Sequence, residues 1–123
     1  MKYMLLIYDE EQAWAKLTNS EQQEIYQAYG RLSQELKAGG QYLAGFQLQP
    51  TSLATSVRIR NGKEMVTDGP FAETHEQLGG YYLVEAKNLD EATAIAARIP
   101  SAHMGTVEVR PIVEEGSQAT ASG

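Results

Sequence analysis

Hydrophobic positions open the chain without a break: "KYMLLIY", Lys2 to Tyr8, is apolar at nearly every position instead of every second one. Alternation marks a strand with one wet face, so this run predicts a central strand buried on both faces. The period then becomes helical. Ile25, Tyr29, Leu32 and Leu36 recur at spacings of four, three and four, leaving Glu24, Gln27, Arg31, Gln34 and Glu35 for water. Thr18 with Glu21, and Ser20 with Gln23, offer overlapping capping boxes for the start after Leu17, and Gly39 and Gly40 supply the stop. From Gln41 the period is two, placing Tyr42, Ala44, Phe46 and Leu48 on one side and Gln41, Gly45, Gln47 and Gln49 on the other, until Pro50.

Val57 and Ile59 alternate with Arg58 and Arg60, and Asn61-Gly62 then predicts a hairpin into "KEMVT". "GGYYLVEA", Gly79 to Ala86, is again apolar on both sides. Asn88 caps a second helix with Glu91 three residues on, and its stripe is Leu89, Ala92, Ile95, Ala96 and Ile99, closed by Pro100. "TVEVRPI" points Val107 and Val109 inward and Glu108 and Arg110 outward. The order β-α-β-(hairpin)-β-α-β predicts an α+β, ferredoxin-like antiparallel sheet with both helices on one face and the hairpin inserted midway. Two strands apolar on both sides then leave a second face uncovered, which predicts a homodimer, sheet against sheet. Residues 1–115 read as one domain, and 116–123 as a loose tail without periodicity.

Composition narrows the function classes. Zero cysteines among 123 residues removes disulfides and thiolate chemistry, and the longest apolar run, Tyr3 to Tyr8, is about a third of the ~20 residues a membrane span needs. The expectation is a cytoplasmic protein that does not enter a membrane. Net charge is −6, with the basic residues scattered, so nucleic acid is not an expected partner; Arg58, Arg60 and Lys63 read as a solvated strand face. No phosphate-binding glycine loop or dinucleotide fingerprint occurs, and His75 and His103 lie too far apart for an i, i+4 ligand pair, so neither a cofactor nor a metal is expected.

The stretch "TDGPFAETHEQLGGYYLVEA", Thr67 to Ala86, concentrates the candidate chemistry. Asp68 has two readings. Its carboxylate either pins the Gly69-Pro70 turn by accepting backbone N–H groups, or faces a cleft at the strand ends as a general base. Phe71 either anchors the loop on the sheet or lines a pocket. His75 is a second acid-base candidate, because histidine is the side chain suited to proton transfer near neutral pH, or a solvated loop residue. Tyr81 and Tyr82 point to opposite faces, so one of them at most should line a given pocket, where Tyr8 and Asp68 could meet it around a small, partly apolar molecule.

These residues also carry a resemblance. "TDGPFAETHEQLGGYYLVEAKNLDEA", with "LQPTSLATSVRIRNGK" before it and "VEVRPI" after it, resembles the DGPF-motif branch of the YCII-related family, from Tyr3 to about Val113. The resemblance implies a ferredoxin-like protomer in a dimeric α/β barrel. It implies a superfamily that holds small isomerases, dehydrochlorinases and monooxygenases acting on ring compounds, hence an enzyme moving protons on a ring or carbonyl compound. Such proteins are commonly found beside alternative sigma factors, so the resemblance also implies the alternative of a non-catalytic ligand-sensing or interaction module in transcriptional regulation. The histidine that many relatives carry on the first helix is absent. "EIYQAYGRL" has Tyr26 and Tyr29 there, and only Asp68, Gly69, Pro70 and Phe71 carry over.

Overall fold

The computed structural model describes residues 1–114 and contains two sheets, of which the larger holds the core. Strand β1 (Lys2–Asp9) lies inside it, flanked by β5 (Gln77–Glu85) and β6 (Thr106–Pro111), and β2 (Tyr42–Gln47) forms the far edge beyond β5. All three pairings are antiparallel, and the order β2-β5-β1-β6 is that of a ferredoxin-like α+β fold. The expected tail, 116–123, lies outside the described residues.

Helix α2 (Asn19–Ala38) starts at Thr18, whose side chain accepts from the Glu21 N–H while the Glu21 carboxylate accepts from the Thr18 N–H, completing the expected capping box. Helix α3 (Leu89–Ala97) is capped by Asn88 accepting from Glu91 N–H at 2.9 Å. Both helices cover one sheet face, where Leu32 and Leu36 of α2 and Ala92, Ile95 and Ala96 of α3 pack with Ile99 on Tyr3, Leu5, Ile7, Tyr82 and Val84. Leu89, expected in that stripe, is 54% exposed, because as the first helical residue it stands at the rim of the contact.

Alternate residues of β1 and β5 behave differently. Tyr3, Leu5 and Ile7 are buried under the helices, while Met4, Leu6, Tyr8, Tyr81 and Leu83 are only half-buried on the other face. Within one protomer the second apolar face is therefore open, as the two doubly apolar strands imply for a chain with both helices on one face.

Three features depart from the pattern read along the chain. A short helix, α1 (Glu11–Ala15), follows β1 directly. In β2, Tyr42 pairs with Val84 and Ala44 with Leu83, so Leu43 is an extra residue in a bulge. One extra residue inverts the alternation, and Tyr42 packs beside Tyr82 under the helices while Phe46 meets Tyr81 on the open face. The expected sharing of one side by Tyr42, Ala44 and Phe46 is thus overturned. A 3-10 turn at Pro100–His103 then re-aims the chain after α3.

The inserted hairpin, β3 (Thr55–Arg60) and β4 (Lys63–Asp68), forms a sheet of its own. Asn61 and Gly62 take φ of 53° and 74° at its tip, the backbone that the Asn-Gly pair predicts. Val57, Ile59, Met65 and Val66 are all exposed. An isolated two-stranded ribbon is marginal in water, and this one leaves its apolar residues exposed.

Candidate functional site

A cavity of about 820 Å³ opens between α2 and the ends of the large sheet. Its walls come from five places: Ile7 and Asp9 at the end of β1, Trp14 and Ala15 of α1, Tyr26, Tyr29 and Ser33 on one side of α2, Tyr42 to Pro50 along and beyond β2, and Gln77 to Tyr82 of β5. Ser101, from the turn after α3, closes the inner end. This size suits a small organic molecule, and the lining mixes aromatic walls with polar side chains.

Helix α1 braces one wall of the cavity. Glu11 N–H donates to Gln77 Oε1 at 2.9 Å, the Glu11 carboxylate accepts from Thr51 N–H at 3.1 Å, and Gln22 Nε2 donates to the Trp14 carbonyl at 3.1 Å. The end of β1, the start of β5 and the segment after β2 are thereby tied together. Trp14 meets Tyr26 edge-on, with ring centroids 5.3 Å apart.

The polar inner end is a chain of three oxygens. Ser101 Oγ lies 2.7 Å from Asp9 Oδ2 and 2.6 Å from Tyr29 Oη. An ionised carboxylate only accepts, so Ser101 spends its one proton on Asp9 and accepts the proton of Tyr29. Burial pushes the Tyr29 hydroxyl up to about 12, so it stays protonated and remains a donor. Asp9 is also raised above the ordinary carboxylate range, first by burial, against the lowering effect of the Ser101 hydrogen bond, with Glu76 adding like-charge repulsion. A second pair of hydroxyls, Ser33 and Tyr82 at 2.8 Å, orients Tyr82 in the same cavity.

The residues singled out in the sequence are divided by the structure. Tyr81 and Tyr82 both line the cavity, correcting the expectation that one at most would; Tyr82 does so under α2, and Tyr81 beside Phe46 at the sheet end, around which the cavity reaches. Tyr8 stands on the open face and outside the lining. Asp68 ends β4, exposed, and lies outside it too. The turn after Asp68 is held by backbone and a serine: Gly69 N–H donates to the Ala54 carbonyl at 2.6 Å and Ser56 Oγ donates to the Gly69 carbonyl at 2.8 Å. Among the described residues the Asp68 carboxylate accepts no hydrogen bond, so it does not pin the turn.

Phe71 is 77% exposed and borders a hollow of about 220 Å³ on the hairpin with Arg58, Met65 and Pro70; it is not packed on the main sheet. His75 is exposed in the connection to β5, its Nε2 3.6 Å from a Glu10 carboxylate oxygen. His103 ends the 3-10 turn and is exposed as well. Among the described residues no group of three or more His, Cys, Asp or Glu side chains is placed to hold a metal ion.

Sequence reading passed over Asp9, Tyr29 and Ser101. Asp9 was legible as a carboxylate ending a central apolar strand, the position where α/β sheets commonly present chemistry. Tyr29 was hidden among the core residues of its helix, and Ser101 carried no signal, because only the turn at Pro100 brings it back to β1.

Comparison with known proteins returns a consistent result. The YCII-related domain matches residues 1–115. The chain is also 33% identical over 114 residues to an uncharacterised protein of Rhizobium meliloti strain 1021, covering 91% of this chain and 92% of that one.

Proposed function

The chain belongs to the YCII-related family, and from that premise we propose that it is a small enzyme that moves a proton on a ring or carbonyl compound held between α2 and the sheet. The observation that carries this reading is the Tyr29, Ser101 and Asp9 chain at the inner end of the cavity. A half-buried carboxylate with a raised pKa is a stronger base once ionised than one in water, and the Ser101 hydroxyl, itself held by Tyr29, orients it. In the proposed step Asp9 takes a proton from a carbon of the substrate and returns it to another, with no co-reactant consumed.

We also infer that the protein works as a homodimer. Met4, Leu6, Tyr81 and Leu83 are only half covered on the open sheet face, and Phe46 beside them is 67% exposed. A second copy is the cheapest cover for such a face. Phe46 and Tyr81 belong to both that face and the cavity wall, so dimer formation would reach the site.

A second reading has an observation of its own. The hairpin exposes Val57, Ile59, Met65 and Val66, which favours an interaction module that docks a regulatory partner through this arm. One experiment separates the readings. Lactones, quinols, ring ketones and ring amines are screened for thermal stabilisation and turnover by wild type, Asp9→Asn and Asp68→Asn. Loss of turnover by about 10²-fold or more in Asp9→Asn alone supports the cavity enzyme. The same loss in Asp68→Asn would move the acting group to the loop, with His75 as its acid-base partner. Stabilisation without turnover in any variant would favour a sensor.

A further inference from the structure

The charges facing the cavity are all of one sign. Asp9 and Glu11 line it, and among the described residues no lysine, arginine or histidine does. Glu76 stands close enough to add to the negative potential at Asp9. A carboxylate or phosphate ligand would have no cation to meet and two carboxylates to face, at a cost that grows as water is excluded.

The walls suit the opposite charge. Trp14 and Tyr26 meet at 78°, as a corner instead of a stack, and Tyr26 is 45% exposed. Phe46 and Tyr81, also in the lining, meet at 53°. Ring faces are electron-rich, and corners of aromatic rings beside carboxylates are the surroundings that hold ammonium groups. The fold already uses this kind of contact: the Lys37 ammonium sits 4.8 Å from the centroid of the ring of Tyr42, another residue of the lining.

We propose that the cavity takes an organic cation, a small ring compound bearing a protonated or quaternary nitrogen, with the nitrogen held against the Trp14–Tyr26 corner and balanced by Asp9 and Glu11. The proposal rests on the reading of the cavity as a ligand site and narrows its substrate class. It also fits the chemistry proposed there when the nitrogen is conjugated with the reacting carbon, as in an iminium or pyridinium ring, because the electron pair left behind by the proton is then delocalised onto nitrogen.

The test uses three probes of one size on the full chain: benzylamine, charged at neutral pH, benzyl alcohol, neutral, and benzoate, negative. Calorimetric titration at low and high salt should give benzylamine a Kd at least about tenfold below that of benzyl alcohol, with the difference shrinking as salt rises, and no binding of benzoate. Asp9→Asn should bring benzylamine close to benzyl alcohol while leaving the alcohol unchanged. Should Asp9→Asn fail to fold, Tyr26→Ala at its exposed position serves instead, and should weaken the amine by about tenfold and the alcohol much less. Equal or tighter binding of the alcohol or of benzoate overturns the cation while the cavity stands as a ligand site. Binding of none of the three overturns both.

Discussion

Ser101 and Asp9, 92 positions apart in the chain, are joined by a hydrogen bond of 2.7 Å. Ser101 is 3% exposed, the one buried polar residue among the described residues, and its second contact is the hydroxyl of Tyr29. Truncation would remove both bonds at once. Ser101→Ala is expected to destabilise the fold by about 1–3 kcal/mol in urea unfolding, since it strands two partly buried oxygens. It should also raise Asp9 further, because the serine hydrogen bond is what opposes burial there. Carboxyl titration followed by NMR reports that shift directly, and an unmoved Asp9 would show that the serine only fills space.

The pH dependence follows from the direction of the Asp9 shift. Burial favours the protonated carboxyl in the folded state, so the contribution of Asp9 to stability is full below its ordinary value of 3.8 and is lost as pH rises through the raised one. Stability of the wild type relative to Asp9→Asn should therefore fall as pH rises through that window. Turnover needs the ionised form and should climb over the same window. Matched denaturation and rate profiles between pH 3 and 7 check the two limbs together, and limbs that move apart would remove Asp9 from the reaction.

Gly105 stands where β6 begins beside the end of β1. A Cβ there would come within 2.0 Å of the Tyr8 carbonyl and 2.7 Å of Asp9 Oδ1. The backbone carbonyl is held in the sheet and cannot give way locally, so Gly105→Ala should cost about 1–3 kcal/mol or more and displace Asp9. Thermal unfolding measures the first effect; the second should appear as lost turnover in protein that is still folded.

The open sheet face makes the oligomeric state measurable. Light scattering at micromolar concentration should give about twice the 13.5 kDa of one chain. Leu83→Lys, at a half-buried position of that face and away from the cavity lining, should halve that mass with the secondary structure retained. A monomeric wild type would sink the inferred dimer and leave the cavity as each protomer shows it.

Local signals determined the elements of this protein. The capping box at Thr18 and Glu21, the Asn88 cap, the Asn61-Gly62 turn and the stripes of α2 and α3 are interactions between near neighbours, and each is where its residues predict. Their order along the chain also implied the ferredoxin-like sheet and its uncovered face. What depends on distant contacts was decided only by tertiary structure. One extra residue at Leu43 turned Tyr42 under the helices and Phe46 out, because alternation has no memory beyond the bulge. The DGPF loop drew the eye as a motif, yet its turn is held by Ala54 and Ser56, and the cavity lies elsewhere. Asp9, Tyr29 and Ser101 come from a strand end, a helix and a turn whose sequence neighbours say nothing of one another. Their meeting is set by how α2 and the segment after α3 pack on the same face of one sheet, a relationship carried by burial and geometry instead of spacing.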